Sequence, residues 1–311
     1  MKCWLLNDMD ADVMVKEYGS ILESFVGVVK LLPEWCEIVN IHDLVIELSA
    51  DGKGTIMKAG ELVERPDAAI CLFAGQIVGA GAKDYDNIHY RTLDQLEMLG
   101  TFCLQSRKDI ETTSDKLKCS QLLAAAGIKV ADTILITDAV KPAYIVERLG
   151  LPVVVKPNDG SEGNGVCLVE TEKELEHIME LRDRSMSLIA QKFIISSRGR
   201  DLRIAMIGDE VIYALLRDNS GSDDFRSNVA QGGKAIELTP PEEAVDIAFK
   251  AKKALGLKLC GIDLLFGENG TYYVGEMNSV PGYANDQKYN GEPVPQRYIK
   301  MVEQFIARNL Q

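Results

Sequence analysis

The stretch from Gly261 to Gly282, GIDLLFGENGTYYVGEMNSVPG, decides the reading of the fold. Ile262 to Phe266 and Thr271 to Glu276 are apolar, β-branched or aromatic runs. Phe266-Gly267-Glu268-Asn269-Gly270 between them has the residues of a tight turn, so the segment predicts a β-hairpin. Asp263 stands inside the first strand, and Glu276 and Asn278 close the second. Side chains alternate faces along a strand, so Glu276 and Asn278 point the same way, and an antiparallel neighbour can bring Asp263 beside them. A hard, oxygen-only set of this kind suits Mg²⁺, which takes a few carboxylates and completes its shell with phosphates or water. Two solvated acids on an exposed sheet face, with a neighbouring amide, fit the same residues.

Upstream of the hairpin, short apolar runs predict strands at Leu188 to Phe193, Leu202 to Ile207 and Val211 to Leu216. Ala244, Ile247, Ala248, Ala251 and Leu255 share a helical face, which predicts a helix over Pro241 to Leu255; a second helix fits Gln296 to Asn309. Residues 187–311 thus read as an α+β unit with a mostly antiparallel sheet. Its arginines cluster: Arg198, Arg200 and Arg203 flank Asp201, Arg217 follows, and Phe225-Arg226-Ser227-Asn228 leads into Gln231-Gly232-Gly233. Among 47 acidic and 34 basic residues, they read either as planar forks for phosphate or carboxylate, or as surface partners of the acids.

A central unit is expected over 106–186. Ser114-Asp115 can cap a helix from Lys116 to Ala126, which Gly127 ends. Runs at Lys129 to Ile136 and Leu151 to Lys156 predict strands around a helix from Pro142 to Leu149. Val166 to Val169 resumes a strand after Pro157-Asn158-Asp159-Gly160-Ser161-Glu162-Gly163-Asn164-Gly165. This arrangement sets Lys156 directly before backbone N–H groups that glycines leave open to anionic oxygens. It is neither a Walker A pattern nor a GxGxxG opening a helix, and an ordinary hairpin turn accounts for it equally.

Residues 1–105 alternate apolar runs (Cys3 to Leu6, Glu37 to Ile41, Ala68 to Phe73, Thr101 to Leu104) with amphipathic stretches such as Val13 to Leu32 and Tyr90 to Leu99. That alternation predicts βαβ units around a mostly parallel sheet, with Asp51-Gly52-Lys53-Gly54 as a turn. The 311 residues exceed what a single core of ~250–300 residues holds, so two or three packed domains are expected. A net charge of −13 argues against broad contact with nucleic acid or anionic membrane, and any bound phosphate needs a local basic pocket. The seven scattered cysteines read as reduced core residues, and His42, His89 and His177 are too far apart for an evident zinc site. With no run of ~20 apolar residues and a start too short for a signal peptide, a soluble cytoplasmic protein is expected. No GxSxG elbow is present, and Asp8, Asp10 and Asp12 lack the glycine and glutamate that complete a calcium loop.

The ordered set is more specific than its parts. Ser114-Asp115-Lys116, Val155-Lys156-Pro157 with its glycine loop, Gln191-Lys192-Phe193-Ile194, Asp201-Leu202-Arg203, Asp224-Phe225-Arg226-Ser227-Asn228 with Gly232-Gly233, Gly261-Ile262-Asp263 and Glu276-Met277-Asn278-Ser279-Val280-Pro281-Gly282 follow one another in that sequence. Together they resemble the ATP-grasp superfamily and, within it, the RimK-like glutamate ligases. The resemblance spans about Ser106 to Gly282, and the preceding segment looks like the smaller N-terminal domain of that family. It implies that Lys116 and Lys156 contact nucleotide phosphates and that the loop holding Gly160, Ser161, Gly163 and Gly165 closes over them. Lys192 and Phe193 would lie at the adenine hinge, Asp201 would contact the nucleotide, and Arg226, Ser227 and Asn228 would reach the phosphates and the reacting carboxylate. Asp263, Glu276 and Asn278 would ligate magnesium, or manganese in its place.

Two positions depart from the family pattern. Lys192 stands where an acidic residue is usual, and Asn278-Ser279-Val280-Pro281-Gly282 replaces the frequent Asn-x-Ser-Pro-Gly. The resemblance implies ATP-driven joining of a carboxylate to an amine through an acyl phosphate, with Lys156, Arg203 and Arg226 stabilising the transferred phosphoryl. Such a ligase would add glutamate or a similar amino acid to a peptide, protein or small-molecule acceptor, with the activated carboxylate on either partner. A ligase that crosslinks side chains within a precursor peptide and a non-catalytic ATP-binding regulator are the alternatives, and a homo-oligomer is left open.

Overall fold

The computed structural model describes residues 1–7, 34–50, 54–71, 88–159, 165–222, 224–227, 234–282 and 287–310. The expectations at 8–32, 51–53, Phe73, Gly160, Ser161, Gly163, Asn228, 231–233 and 283–286 lie outside the described residues.

The N-terminal strands are β1 (Cys3–Asn7), β2 (Cys36–Asn40), β3 (Leu44–Leu48), β4 (Gly54–Lys58), β5 (Glu61–Leu62), β6 (Ala68–Cys71) and, after helix α1 (Ile88–Met98), β7 (Phe102–Cys103). The expected parallel sheet forms in the order β2-β1-β6-β7, with every pairing parallel. All five residues of β1 are buried, as a strand covered on both faces requires. Trp4 and Leu6 pack with Leu93 and Leu96 of α1, whereas Cys3 and Leu5 join the core of the C-terminal unit. Strands β3, β4 and β5 form a separate antiparallel sheet that the apolar pattern did not announce, because only Leu44 and Ile56 of its strands are well buried.

Helix α2 (Arg107–Ser114) opens the central unit on a capping box between Ser106 and Asp109, and α3 (Lys116–Ala125) follows at once, capped by Asp115. Next come β8 (Thr133–Ile136), α4 (Pro142–Leu149), β9 (Val153–Pro157), β10 (Cys167–Val169), α5 (Glu172–Leu181) and β11 (Leu188–Lys192). The strands form an antiparallel sheet in the order β10-β9-β11-β8. Membership of β11 carries the central sheet to Lys192, beyond the division expected after residue 186. The strand expected from Lys129 begins at Thr133, because Lys129 and Val130 instead bond across to Val274 of the C-terminal unit.

The C-terminal sheet contains β12 (Arg200–Ile207), β13 (Glu210–Asp218), β14 (Lys234–Glu237), β15 (Leu259–Phe266) and β16 (Tyr272–Asn278), all antiparallel, in the order β14-β13-β12-β15-β16. Helices α6 (Glu242–Leu255) and α7 (Val294–Asn309) match the expected helices to within two residues. α6 packs on β12, β15 and β16, and α7 on β12 and β13. Leu202, Ile204, Ile262 and Leu264 are buried in the same core as Ala244, Ala248 and Ala251, which leaves the alternate residues of β12 and β15 for the opposite face.

Candidate functional site

The β15–β16 hairpin sets the oxygen donors. Asp263 lies directly opposite Glu276, and Gly261 opposite Asn278. A bulge at Gly275 interrupts the ladder between these pairs and the outer half of the hairpin, where Leu264 faces Val274; bulges commonly re-aim side chains beside sites. Gly261 is required by packing: a Cβ there would stand 2.9 Å from Cβ of Pro281, so only glycine lets the Ser279 to Gly282 turn fold back over β15. Thr113 of α2 donates to Ser279 Oγ at 3.0 Å, and the Tyr213 hydroxyl donates to the Gly282 carbonyl. Among the described residues Asn278 Nδ2 is buried without a hydrogen-bond partner, so this amide has a donor to offer an anionic oxygen, while its Oδ1 is the atom a metal would take.

Asp263 is 4% exposed, which removes the reading of a solvated surface acid. Arg203 grips it with Nε on Oδ1 at 2.7 Å and Nη2 on Oδ2 at 2.8 Å, and Arg217 Nη2 reaches Oδ2 at 2.7 Å. Burial alone would raise this carboxyl; the two guanidiniums overcome it and hold the group at about 2. For Asp201 burial prevails and raises the pKa, against the pull of Arg217 and with the help of the nearby Asp263 charge. Glu276 keeps 35% of its side chain exposed and meets the Lys116 ammonium at 3.6 Å. A small crevice between α3 and β16 is lined by Lys116, Ser120, Gly275 and Glu276.

Asn158 brings the two lysines together. Its carbonyl accepts from Lys116 N at 3.1 Å, its Oδ1 from Leu117 N at 2.8 Å, and its Nδ2 donates to the capping Asp115 at 2.9 Å. Asn158, which directly follows β9, therefore clamps the first turn of α3, so Lys116 is held beside the strand that carries Lys156. The Lys156 ammonium donates to Gln191 Oε1 at 3.0 Å, and Gln191 in turn donates to Thr133. Burial lowers the Lys156 pKa to about 8, with Glu276 opposing and Lys116 adding to the shift. Gly165, the described end of the glycine loop, has φ +70°, and a Cβ there would stand 3.1 Å from Cγ of Pro157.

Of the remaining expected residues, Phe193 meets Phe225 edge to face at 5.9 Å. Lys192 pairs with exposed Asp132 at 3.9 Å, and its backbone N–H donates to the Asp132 carbonyl. Asp201 accepts from Arg217 Nε at 2.7 Å, Arg217 Nη2 at 2.6 Å and the Ser227 hydroxyl at 2.6 Å. Arg226 folds onto Asp224, with Nη2 on Oδ2 at 2.7 Å. Gln191, Thr113 and Tyr213 carry no task in the sequence reading, and of the two readings open for Arg217 the structure shows the planar fork for carboxylate, on Asp201 and Asp263. The turn at Gly208 and Asp209 alone would set Asp201 opposite Leu216; an extra residue at Ile212 shifts the register by one and pairs Asp201 with Arg217.

Among the described residues no three His, Cys, Asp or Glu side chains are grouped to hold a metal ion by themselves. Lys116, Lys156, Arg203 and Arg217 supply four cations, against the three carboxylates Asp201, Asp263 and Glu276. An excess of positive charge and the unpartnered Asn278 N–H donor suit a polyphosphate, and the two adjoining carboxylates suit a divalent cation that arrives with it better than a bare ion.

The RimK-like ATP-grasp domain family matches residues 113–302. A "Probable alpha-L-glutamate ligase" of Vibrio atlanticus (strain LGP32) is 34% identical over 264 residues, covering 84% of this chain and 82% of that protein. One of the same description from Coxiella burnetii (strain Dugway 5J108-111) is 32% identical over 277 residues, with 88% and 86% covered. Among solved structures, the ATP-grasp ligase PsnB complexed with minimal precursor superimposes with a TM-score of 0.69 at 19% identity over 98% of this chain and 99% of its own. The VanG D-Ala:D-Ser ligase of Enterococcus faecalis gives 0.68 at 16% identity over the same shares. The chain belongs to the RimK-like ATP-grasp family and is an ATP-dependent ligase that forms C–N bonds.

Proposed function

We propose that this ligase joins glutamate or a similar amino acid to a peptide, protein or small-molecule acceptor, activating a carboxylate of one partner for attack by an amine of the other. The observation that carries the reading is the pairing of Lys116 with Glu276, and of Arg203 and Arg217 with Asp263, on adjoining strands that also carry Asn278, whose Nδ2 has no partner among the described residues. The glutamate assignment draws on the two relatives described above. In the first step a carboxylate oxygen attacks the γ-phosphorus of ATP and the bond to ADP breaks, leaving an acyl phosphate. In the second the amine attacks the acyl carbon, phosphate leaves, and the amine gives up a proton.

The residues divide these tasks. Lys116 and Lys156 hold phosphate oxygens, and Lys156 lies at the mouth of the glycine loop whose backbone N–H groups would complete the grip. Arg226, once released from Asp224, offers a planar fork to the transferred phosphoryl, where preorganised charge lowers the barrier. Phe193 and the backbone around Lys192 would receive the adenine. Asp263, Glu276 and Asn278 would hold magnesium, which when bound neutralises charge on the phosphates. Removing water from the closed site protects the acyl phosphate from hydrolysis.

The deciding experiment is ADP release over a panel of amino acids and dicarboxylates with hydroxylamine present. A hydroxamate identifies the activated acid: one formed from glutamate makes glutamate the carboxylate partner, and one formed from another acid makes glutamate the candidate amine. ATP binding with no hydroxamate from any carboxylate would sink the acyl-phosphate mechanism. Mass spectrometry of an acceptor then separates addition, which increases mass, from internal crosslinking, which removes water.

A further inference from the structure

On one face of the C-terminal sheet, charge alternates from strand to strand. Arg217 of β13 lies opposite Asp201 of β12, and Asp263 of β15 opposite Arg203 of β12. Asp201 and Arg203 are two residues apart and so share that face. Arg217 is the common member. Its Nη2 donates to Asp201 at 2.6 Å and to Asp263 at 2.7 Å, while its Nε takes the second Asp201 oxygen at 2.7 Å. With the Ser227 hydroxyl as a third donor at 2.6 Å and only 4% exposure, the Asp201 carboxylate is turned into the protein.

Ser227 belongs to the segment that presents Arg226. That segment is fastened at two further points: Gly199 N donates to the Phe225 carbonyl at 2.9 Å, and Asn219 Nδ2 to the Arg226 carbonyl at 3.1 Å. Both of those fix the segment to the loop ends of β12 and β13. The Ser227 bond fixes it to the buried charge array itself. A guanidinium can bridge two carboxylates where an ammonium presents a single point charge, and short charged bonds in a buried network resist displacement.

We propose that Asp201 and Arg217 are positioning residues that act through Ser227, setting where Arg226 stands relative to Asp263. The inference rests on the ligase reading for the tasks of Arg226 and Asp263. It assigns Asp201 a place behind the site, in contrast to the direct nucleotide contact that the family resemblance implies for it.

The test is a double-mutant cycle of Ser227→Ala and Asp201→Asn on the full chain. It follows turnover, the ATP dissociation constant by calorimetry, and amide hydrogen exchange of peptides covering 224–227 without ligand. Each single variant is expected to lower turnover by about 10–100-fold, the factor that a lost charged hydrogen bond carries. ATP affinity should change little, exchange over 224–227 should accelerate, and the double variant should be no worse than the poorer single. Losses that multiply, or an ATP dissociation constant that rises as far as turnover falls, would mean independent contacts with the nucleotide and would overturn the proposal.

Should Asp201→Asn fail to fold, as a broken buried pair can cause, a cycle of Ser227→Ala with Arg226→Ala decides. Positioning requires that Ser227→Ala cost nothing more once Arg226 is gone, and a further loss refutes it. Arg217→Lys is expected to reproduce the Asp201→Asn loss, and full activity in that variant removes Arg217 from the role. Exchange is independent of catalysis. A wild-type chain that forms no hydroxamate removes the ligase reading and this inference with it, whereas an active wild type whose 224–227 exchange is unmoved by Ser227→Ala removes the tether alone.

Discussion

Lys156 is an ammonium held where burial opposes its charge, and its pKa near 8 makes it the residue whose pH response is most readily measured. Phosphate needs the protonated form, so the sign is fixed: ATP affinity in the free protein should be full below pH 8 and fall as pH rises through 8 to 9. Binding at pH 8.5 should take up a proton, seen by calorimetry in buffers of different ionisation enthalpy. Lys156→Arg keeps its charge throughout this range, and its affinity curve should be flat between pH 7 and 9; a curve that still falls would place the titrating group elsewhere. Arg226 makes the complementary case. It is parked on Asp224 in this state, and its use requires exchange of that partner for the substrate. Arg226→Ala should lower turnover by about 10²–10³-fold, the loss typical of a transition-state charge donor, and unchanged turnover would remove it from the mechanism. Single-residue reading of the sequence found Lys116, Lys156, Asp263 and Glu276 by type and order. It left Arg217 between a fork for phosphate or carboxylate and a surface partner, because an arginine's partner is set by strand register, and register here depends on both the Gly208 turn and the extra residue at Ile212.

At the scale of elements, the β15–β16 hairpin shows how far alternation carries. The opposition of Asp263 and Glu276 was legible because the turn residues and two apolar runs fix both strands. The bulge at Gly275 was not, since it depends on how Leu265 packs over the extra residue. Helix α5 escaped notice although Thr171 and Glu174 form a full capping box at its start, because its exposed, charged face masks the periodicity of a helix with one well-buried side chain, Leu175. The contact between Gly261 and Pro281 offers a test of the hairpin's role as a mount. Gly261→Ala forces a carbon to 2.9 Å from the proline ring and should cost about 1–3 kcal/mol, as overpacking does. Melting should fall by several degrees, at ~2–4 °C per kcal/mol for a unit of ~150–250 residues. Because the displaced turn follows Asn278, affinity for magnesium with ATP should fall as well, beyond any change in ATP affinity measured without metal. A variant that melts earlier but binds metal and nucleotide normally would separate the turn from the site.

At the scale of the whole molecule, the sheet types follow from what separates the apolar runs: amphipathic helical stretches in the parallel N-terminal sheet, and short turns such as Gly267 to Gly270 in the antiparallel C-terminal sheet. The joints between the units do not, because Lys129 to Val274 and Thr113 to Ser279 are contacts between distant segments. Charge gives the last argument. The chain carries −13 overall, yet the site gathers four cations around three carboxylates, two of which are already committed to guanidiniums. A bare divalent cation gains little there: it must compete with Arg203 and Arg217 for Asp263 and with Lys116 for Glu276. A polyphosphate changes the balance, since its oxygens can take over the lysines and at least one arginine and so free carboxylate oxygens for the metal. Magnesium and ATP should therefore bind synergistically. In thermal melts magnesium alone should leave the midpoint nearly unchanged and ATP alone should raise it modestly. Both together should stabilise by more than the sum, approaching about 2.7 kcal/mol at a hundredfold excess over the dissociation constant. In Glu276→Gln the lysine loses its competitor for phosphate, so ATP alone should bind at least as well as in the wild type while the magnesium increment disappears. Strong stabilisation of the wild type by magnesium without nucleotide would contradict this account of the site.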